Sequence, residues 1–310
     1  MGTLTSVELK GNWATLLLAT NADGKVDYSR LSDEIDTLIS SHPNGIYSNG
    51  TACEFYSQNH EEFVSISQML SEKCHKAGVL FQIGVSHPCA QESVRRLKSV
   101  VDLKPDAVQV ILPDWFPVDD RAALSFMRGM AEISCGIPLV LYNPPHAKMV
   151  LEPEMWQKLK TDVPLLIGLK VFDDNCSEVW YDKMNRNSEG LSIFVPGYHL
   201  ATGILHGASG AYSNVACLNP FAAQRWYDMM SADMESALEL ELRIRKFMDK
   251  YITPFIVEGK YPNHACDRFM ALVGGWADVG DKLRWPYSSI PAEYVEPVRK
   301  NGHNIIPEFI

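Results

Sequence analysis

The chain carries no surplus of positive charge: 28 Lys and Arg stand against 38 Asp and Glu over 310 residues, a formal net charge of −10. Nucleic acids and anionic membranes are bound by positive surface, so neither is expected as a partner. No apolar run is long enough to span a bilayer, and Met1 to Lys10 lacks the charge and greasy core of a secretory signal. The seven cysteines, at 53, 74, 89, 135, 176, 217 and 266, contain no Cys-x-x-Cys pair. Such an odd, scattered set reads as reduced thiols in a cytoplasmic protein, not as a disulfide framework or a zinc site. No His/Asp/Glu metal spacing occurs, and no Gly-x-Gly-x-x-Gly follows the first apolar run, which argues against dinucleotide binding. The 46% apolar share still supplies a large core. A soluble, acidic, intracellular protein that acts on something small is what these absences leave.

What is present is a repeat of short β-branched runs: Trp13–Leu18, Gly45–Ser48, Val79–Val85, Ala107–Leu112, Pro138–Tyr142, Leu165–Lys170, Leu191–Val195 and Gly210–Asn214. Most show no in/out alternation, as expected of strands covered on both faces. Helical periodicity falls between them, with Leu31, Ile35 and Leu38 on one face of Tyr28–Ser41. Glu61–Lys76 and Asp119–Ile133 repeat the pattern. Successive strands are mostly about 25–35 residues apart, the size of a βαβ unit. Eight units predict a (β/α)8 TIM barrel over residues 1–219. Residues 220–310 read as a C-terminal helical region, with helices at Pro220–Ser231, Met234–Tyr251 and His264–Val273 and a last one within Ile290–Lys300.

Reactive groups of a parallel barrel lie at the C-terminal ends of its strands. Lys170 closes Leu165-Leu166-Ile167-Gly168-Leu169, so its stem leaves a strand with apolar neighbours. Desolvation there favours the neutral amine, a nucleophile toward ketones. Snorkelling to solvent, or pairing with Asp173, explains a strand-end lysine equally well. Tyr142 ends the preceding strand one βα unit earlier, within reach of the same pocket, where a phenol can relay protons. A buried tyrosine bonded to backbone is the alternative. Gly50-Thr51-Ala52 after the second strand offers successive amides for a carboxylate or phosphate, or is a plain loop.

In this order the strand ends resemble the dihydrodipicolinate synthase / N-acetylneuraminate lyase family. The likeness is carried by Gly50-Thr51-Ala52-Cys53-Glu54, Tyr142-Asn143-Pro144-Pro145, Gly168-Leu169-Lys170 and the Gly-containing Gly207–Asn214. It implies a class I aldolase, lyase or dehydratase that forms an imine between Lys170 and pyruvate or another 2-oxo acid, with an aldehyde as second partner. Tyr142 would shuttle protons, Thr51 and the Thr51 and Ala52 amides would hold the carboxylate, and the Tyr212 carbonyl would face the oxo acid. Neither metal nor cofactor is required. A homo-oligomer, dimer or tetramer, is also implied, with Trp115 and Phe116 as aromatic anchors.

Departures from the family pattern bear on substrate. Trp115 stands where the synthases place an aromatic hydroxyl, and Ala147 where they place a carboxylate-binding Arg. His199-Leu200 follows Gly197-Tyr198 where the sialic-acid lyases carry acids, and Ala52 and Cys53 replace a hydroxyl residue and a glycine. His146, Lys148, Asp173 and His199 are the candidates for substrate selection, each also readable as a solvated loop residue. Two further readings stay open: a catalytically silent barrel that binds an oxo acid, and a lysine–pyridoxal phosphate barrel.

Overall fold

Strands and helices alternate along the chain in the computed structural model, which describes residues 3–310. β1 (Gly11–Thr15) is followed by α1 (Tyr28–Ser40), β2 (Gly45–Ser48) by α2 (His60–Ala77), and β3 (Phe81–Gly84) by α3 (Ala90–Val100). Then come β4 (Ala107–Val110) with α4 (Asp120–Ile133), β5 (Leu139–Tyr142) with α5 (Pro153–Asp162), and β6 (Leu166–Lys170) with α6 (Glu178–Asn187). β7 (Ser192–Phe194) leads to α7 (Leu200–Leu205) and β8 (Gly210–Ser213) to α8 (Asn214–Leu218). Five more helices follow: α9 (Pro220–Ala232), α10 (Met234–Tyr251), α11 (Thr253–Val257), α12 (Asn263–Gly274) and α13 (Val295–His303). Each strand pairs in parallel with the next and β8 returns to β1, closing a TIM barrel. The final helix differs from expectation: a 3-10 turn at Ala292–Tyr294 precedes α13, which runs on to His303.

Local chemistry sets the helix starts. Asp27 and Asp119 accept from backbone amides as N-caps of α1 and α4, and Asn59 forms a capping box with Glu62 at α2. Two apolar clusters then sandwich the sheet. Trp13, Tyr47, Ala107, Val140, Phe194 and Tyr212 fill the barrel interior. Their chain neighbours Ala14, Ile46, Val108, Leu141, Ile193 and Ala211 belong to the outer layer, with Leu31, Phe63, Met127 and Trp156 of the helices. Both faces are apolar, which is why the strands show no alternation in sequence.

One irregularity decides which way the end of β6 faces. Leu139 pairs with Leu166, but Val140 pairs with Gly168, so Ile167 is an extra residue on β6. Such a bulge shifts side-chain phase by one position. The interior residue Val140 therefore lies opposite Gly168, and Tyr142 opposite Lys170. In a regular strand of this sequence Lys170 would share the side of Leu166, among the helices.

The late helices also reach the barrel mouth. α12 packs on α8, and its Arg268 donates to the Leu18 carbonyl after β1 and to Glu54 after β2. The same guanidinium donates to the Val279 and Gly280 carbonyls. The Glu54–Arg268 pair is fully buried at 2.8 Å, and Glu54 also accepts from the Arg284 amide. Four segments distant in sequence are thus pinned together at one rim.

Candidate active site

Lys170 stands inside the barrel among three tyrosine rings. Its Nζ is 4.1 Å from the ring centre of Tyr142, 5.5 Å from Tyr212 and 5.7 Å from Tyr47. Among the described residues it makes no ion pair; Asp173, a possible partner in the sequence, is taken by His199. Burial draws the Lys170 pKa down to about 8, against the opposing influence of Asp267 and Cys217. Aromatic faces attract cations. The cage therefore favours a reaction that turns the neutral amine into a new cation.

Tyr142 is held protonated. Burial, reinforced by the Asp267 charge, pushes its hydroxyl up to about 12, and the neighbouring Thr51 hydroxyl opposes that shift. A phenol in this state is a proton donor toward whatever forms at Nζ.

The turn after β2 leaves backbone donors free. Asn49 and Glu54 adopt left-handed backbone at φ 53° and 50°, bracketing Gly50. A Cβ on Gly50 would lie 2.4 Å from the Tyr47 ring, so only glycine lets the turn close over it. The Gly50 and Thr51 carbonyls accept from Phe55 and Glu54. The Thr51 and Ala52 amides, by contrast, have no acceptor among the described residues. Two adjacent unused donors beside a hydroxyl are suited to a carboxylate.

A fourth group was not foreseen from sequence. Residues three and four apart share a helix face, so His264, Asp267 and Arg268 present one side of α12. The His264 ring meets Tyr56 at 5.2 Å, and Arg268 reaches Leu18 and Glu54, so this side looks onto the barrel mouth. Asp267 has no hydrogen-bond or ion-pair partner among the described residues. Burial pushes its carboxyl up to about 7, with Lys170 pulling the other way. His264, Cys266 and Arg268 are buried, yet Asp267 keeps part of its surface open, as do Thr51, Tyr142 and Lys170. Asp267 lies close enough to Lys170 and Tyr142 to influence the titration of both, and Thr51 neighbours the Tyr142 hydroxyl. The available signal was two charged residues and a histidine interrupting an otherwise apolar helix.

The remaining candidates fall in two places. Trp115 is 78% exposed, and the Lys148 Nζ donates to its carbonyl at 2.5 Å while standing 5.2 Å from its ring centre. His146 is exposed beside them on the rim. Asp173 and His199 correct the solvated-loop expectation, because both are buried. His199 Nδ1 is 2.9 Å from Asp173, and the Tyr181 hydroxyl donates to the same carboxylate at 2.8 Å. Burial opposes ionisation of Asp173, but the bonds from His199 and Tyr181 outweigh it and hold the carboxyl below its usual range. Cys176 joins them with all three donor atoms within 4.8 Å, a grouping of metal-ligand type invisible in sequence spacing and already occupied by its own hydrogen bonds. Tyr212 sits beneath Lys170 with its ring against Phe194 and Tyr47. A separate groove of about 350 Å³, lined by Phe172, Trp156, Trp180 and Lys183, lies between α5 and α6.

Comparison with known proteins agrees with this architecture. An uncharacterised DapA-like lyase of Thermococcus onnurineus is 23% identical over 282 residues, covering 81% of this chain and 94% of that protein. Another from Pyrococcus furiosus is 26% identical over 295 residues, 94% of this chain and 96% of that one. Escherichia coli K12 YagE, a prophage protein solved in complex with pyruvate, superposes with a TM-score of 0.83 at 19% identity, covering 96% and 98% of the two chains. Clostridium difficile CdNal, solved with mannosamine, gives 0.79 at 16% identity over 97% and 99%. At such identities the solved structures speak to the fold alone. The family model described as the dihydrodipicolinate synthetase family matches residues 8–300, and the chain therefore belongs to that family.

Proposed function

We propose that the protein is a class I, imine-forming lyase or aldolase that acts on pyruvate or another 2-oxo acid. The observation that carries this reading is Lys170: an amine of lowered pKa inside a closed barrel, in register with a protonated Tyr142. The unprotonated amine adds to C2 of the oxo acid, water leaves, and an iminium forms. Loss of a C3 proton yields an enamine, whose C3 then bonds to an aldehyde carbon; the reverse sequence cleaves that bond. Tyr142 donates the proton that lets water depart and later serves the oxygen of the second carbonyl. Thr51 and the amides of Thr51 and Ala52 hold the carboxylate, with the Tyr212 carbonyl facing the bound acid. Trp115, His146 and Lys148 border the mouth, and His199 stiffens the loop after β7 through Asp173. The family membership and the pyruvate in the YagE structure support the choice of oxo acid.

The test is reductive trapping. Cyanoborohydride with pyruvate adds one reduced pyruvyl group to Lys170 in the intact-mass spectrum, and Lys170→Ala takes up none. An unmodified wild-type chain refutes the imine. Trapping without turnover on any aldehyde would instead leave an oxo-acid-binding barrel.

A further inference from the structure

We infer that Gln109 is a positioning residue for the carboxylate of the oxo acid: it anchors Tyr47, and Tyr47 fixes the turn after β2 relative to Lys170. This rests on the imine-forming reading and on the assignment of the Thr51 and Ala52 amides to the carboxylate.

Interior side chains of a closed eight-stranded barrel stack in layers, each drawn from alternate strands. Tyr47 on β2, Gln109 on β4, Lys170 on β6 and Tyr212 on β8 meet in this way. The Lys170 Nζ stands 5.7 Å and 5.5 Å from the Tyr47 and Tyr212 ring centres, which are 5.1 Å apart. The Tyr47 hydroxyl donates to the Gln109 Oε1. Gln109 is fully buried, and its amide nitrogen has no hydrogen-bond partner among the described residues. A buried amide left half satisfied is destabilising. An apolar side chain of the same size would fill the place without that penalty, so the bond to Tyr47 is what the glutamine contributes.

Tyr47 in turn underlies the turn. A Cβ on Gly50 would lie 2.4 Å from the Tyr47 ring edge and 2.4 Å from its hydroxyl oxygen. The Gly50 backbone therefore rests on the phenol end of the ring, the same end that Gln109 holds. Thr51 and Ala52, whose amides are unused, follow directly in the chain. The ring is a spacer, with the turn on its tip and the Lys170 amine toward its face. Among the described residues Gln109 is the only hydrogen-bond partner of the Tyr47 hydroxyl, so breaking that bond frees the tip and the turn resting on it.

The experiment measures cyanoborohydride trapping on Lys170 with pyruvate and with acetone, which carries a methyl group where pyruvate carries its carboxylate. The ratio of the two second-order rate constants, read by intact mass, reports recognition of the carboxylate and cancels the reactivity of the amine. Gln109→Met keeps the length of the side chain and removes the acceptor; Tyr47→Phe keeps the ring and removes the donor. Each lowers the pyruvate-to-acetone ratio roughly 10-fold, since a misplacement of about 1 Å costs a positioned reaction up to about 100-fold. The double variant falls no further than either single one, because both changes remove the same bond. The pH at which pyruvate trapping levels off stays at its wild-type value, as no charge is added or lost beside Lys170.

An unchanged ratio in Tyr47→Phe, the smaller change, overturns the inference whether or not Gln109→Met folds. So do losses that multiply in the double variant. A fall shared equally by both ketones in Tyr47→Phe also overturns it, because the tie would then serve the lysine or the barrel and not the carboxylate. Wild type that traps neither ketone removes the imine and this inference together. Wild type that traps both, with the ratio shown by free Nα-acetyl-lysine, removes the carboxylate site and this inference while the imine stands.

Discussion

The pH dependence of imine formation follows from the position of Lys170. A lysine at its ordinary 10.5 is about 0.03% unprotonated at pH 7, whereas one at about 8 is about 9% unprotonated. Burial thus raises the reactive fraction about 300-fold, equivalent to roughly 3 kcal/mol. Initial rates of pyruvate trapping, measured from pH 5.5 to 10 at fixed cyanoborohydride, read this directly. The rate is expected to climb about tenfold per unit below pH 7 and to level off near pH 8 to 8.5. Tyr142, at about 12, stays protonated through that range and does not add a second inflection. Asp267 titrates near 7 beside the lysine, so the two protons leave as a coupled pair and the bend is broadened, not doubled. A trapping rate still rising tenfold per unit between pH 8.5 and 10 would mean an ordinary solvated lysine and would refute the argument from burial.

Three other outcomes are expected. Tyr142→Phe retains pyruvate trapping but slows carbon–carbon bond making or breaking by roughly 100-fold, the scale of a lost proton relay; unchanged turnover would assign the proton to another group. Arg268→Ala leaves Glu54 as a buried unpaired charge, which costs about 3–5 kcal/mol. A large fall in thermal midpoint is expected, and midpoints equal within a degree would show that the pair is not holding the rim. Homo-oligomer formation through Trp115 and Phe116, 78% and 76% exposed, predicts a multi-subunit mass by light scattering that falls when both become Ser; a monomeric wild type excludes it.

Much of the barrel and part of the site were legible because they are written in short-range pattern. Runs such as Ala107–Leu112 and Leu165–Lys170 are apolar on both faces, and only a closed or doubly covered parallel sheet buries both. Lys170 and Tyr142 became candidates because a barrel puts reactive groups at strand ends, and Gly50-Thr51-Ala52 because small residues leave amides unobstructed. Asp173 and His199 were misjudged as solvated. Nothing in their local sequence indicates that the loops after β6 and β7 fold against each other and bury a carboxylate with a ring. Asp267 escaped notice because an acid on a helix nearly one hundred residues beyond Lys170 is ordinarily a solvated one.

By itself the sequence determined the repeat of strand and helix, the acidic character and the chemical types at the strand ends, since periodicity and composition act over a few residues. Tertiary structure alone decided orientation and company. The extra residue Ile167 turns Lys170 inward only through its register against β5, and α12 sets Asp267 over the mouth only because Arg268 is bonded to the ends of β1 and β2. Register and docking depend on contacts between segments far apart in the chain, and it is there that an ordinary lysine and an ordinary aspartate come close enough to shift one another's titration.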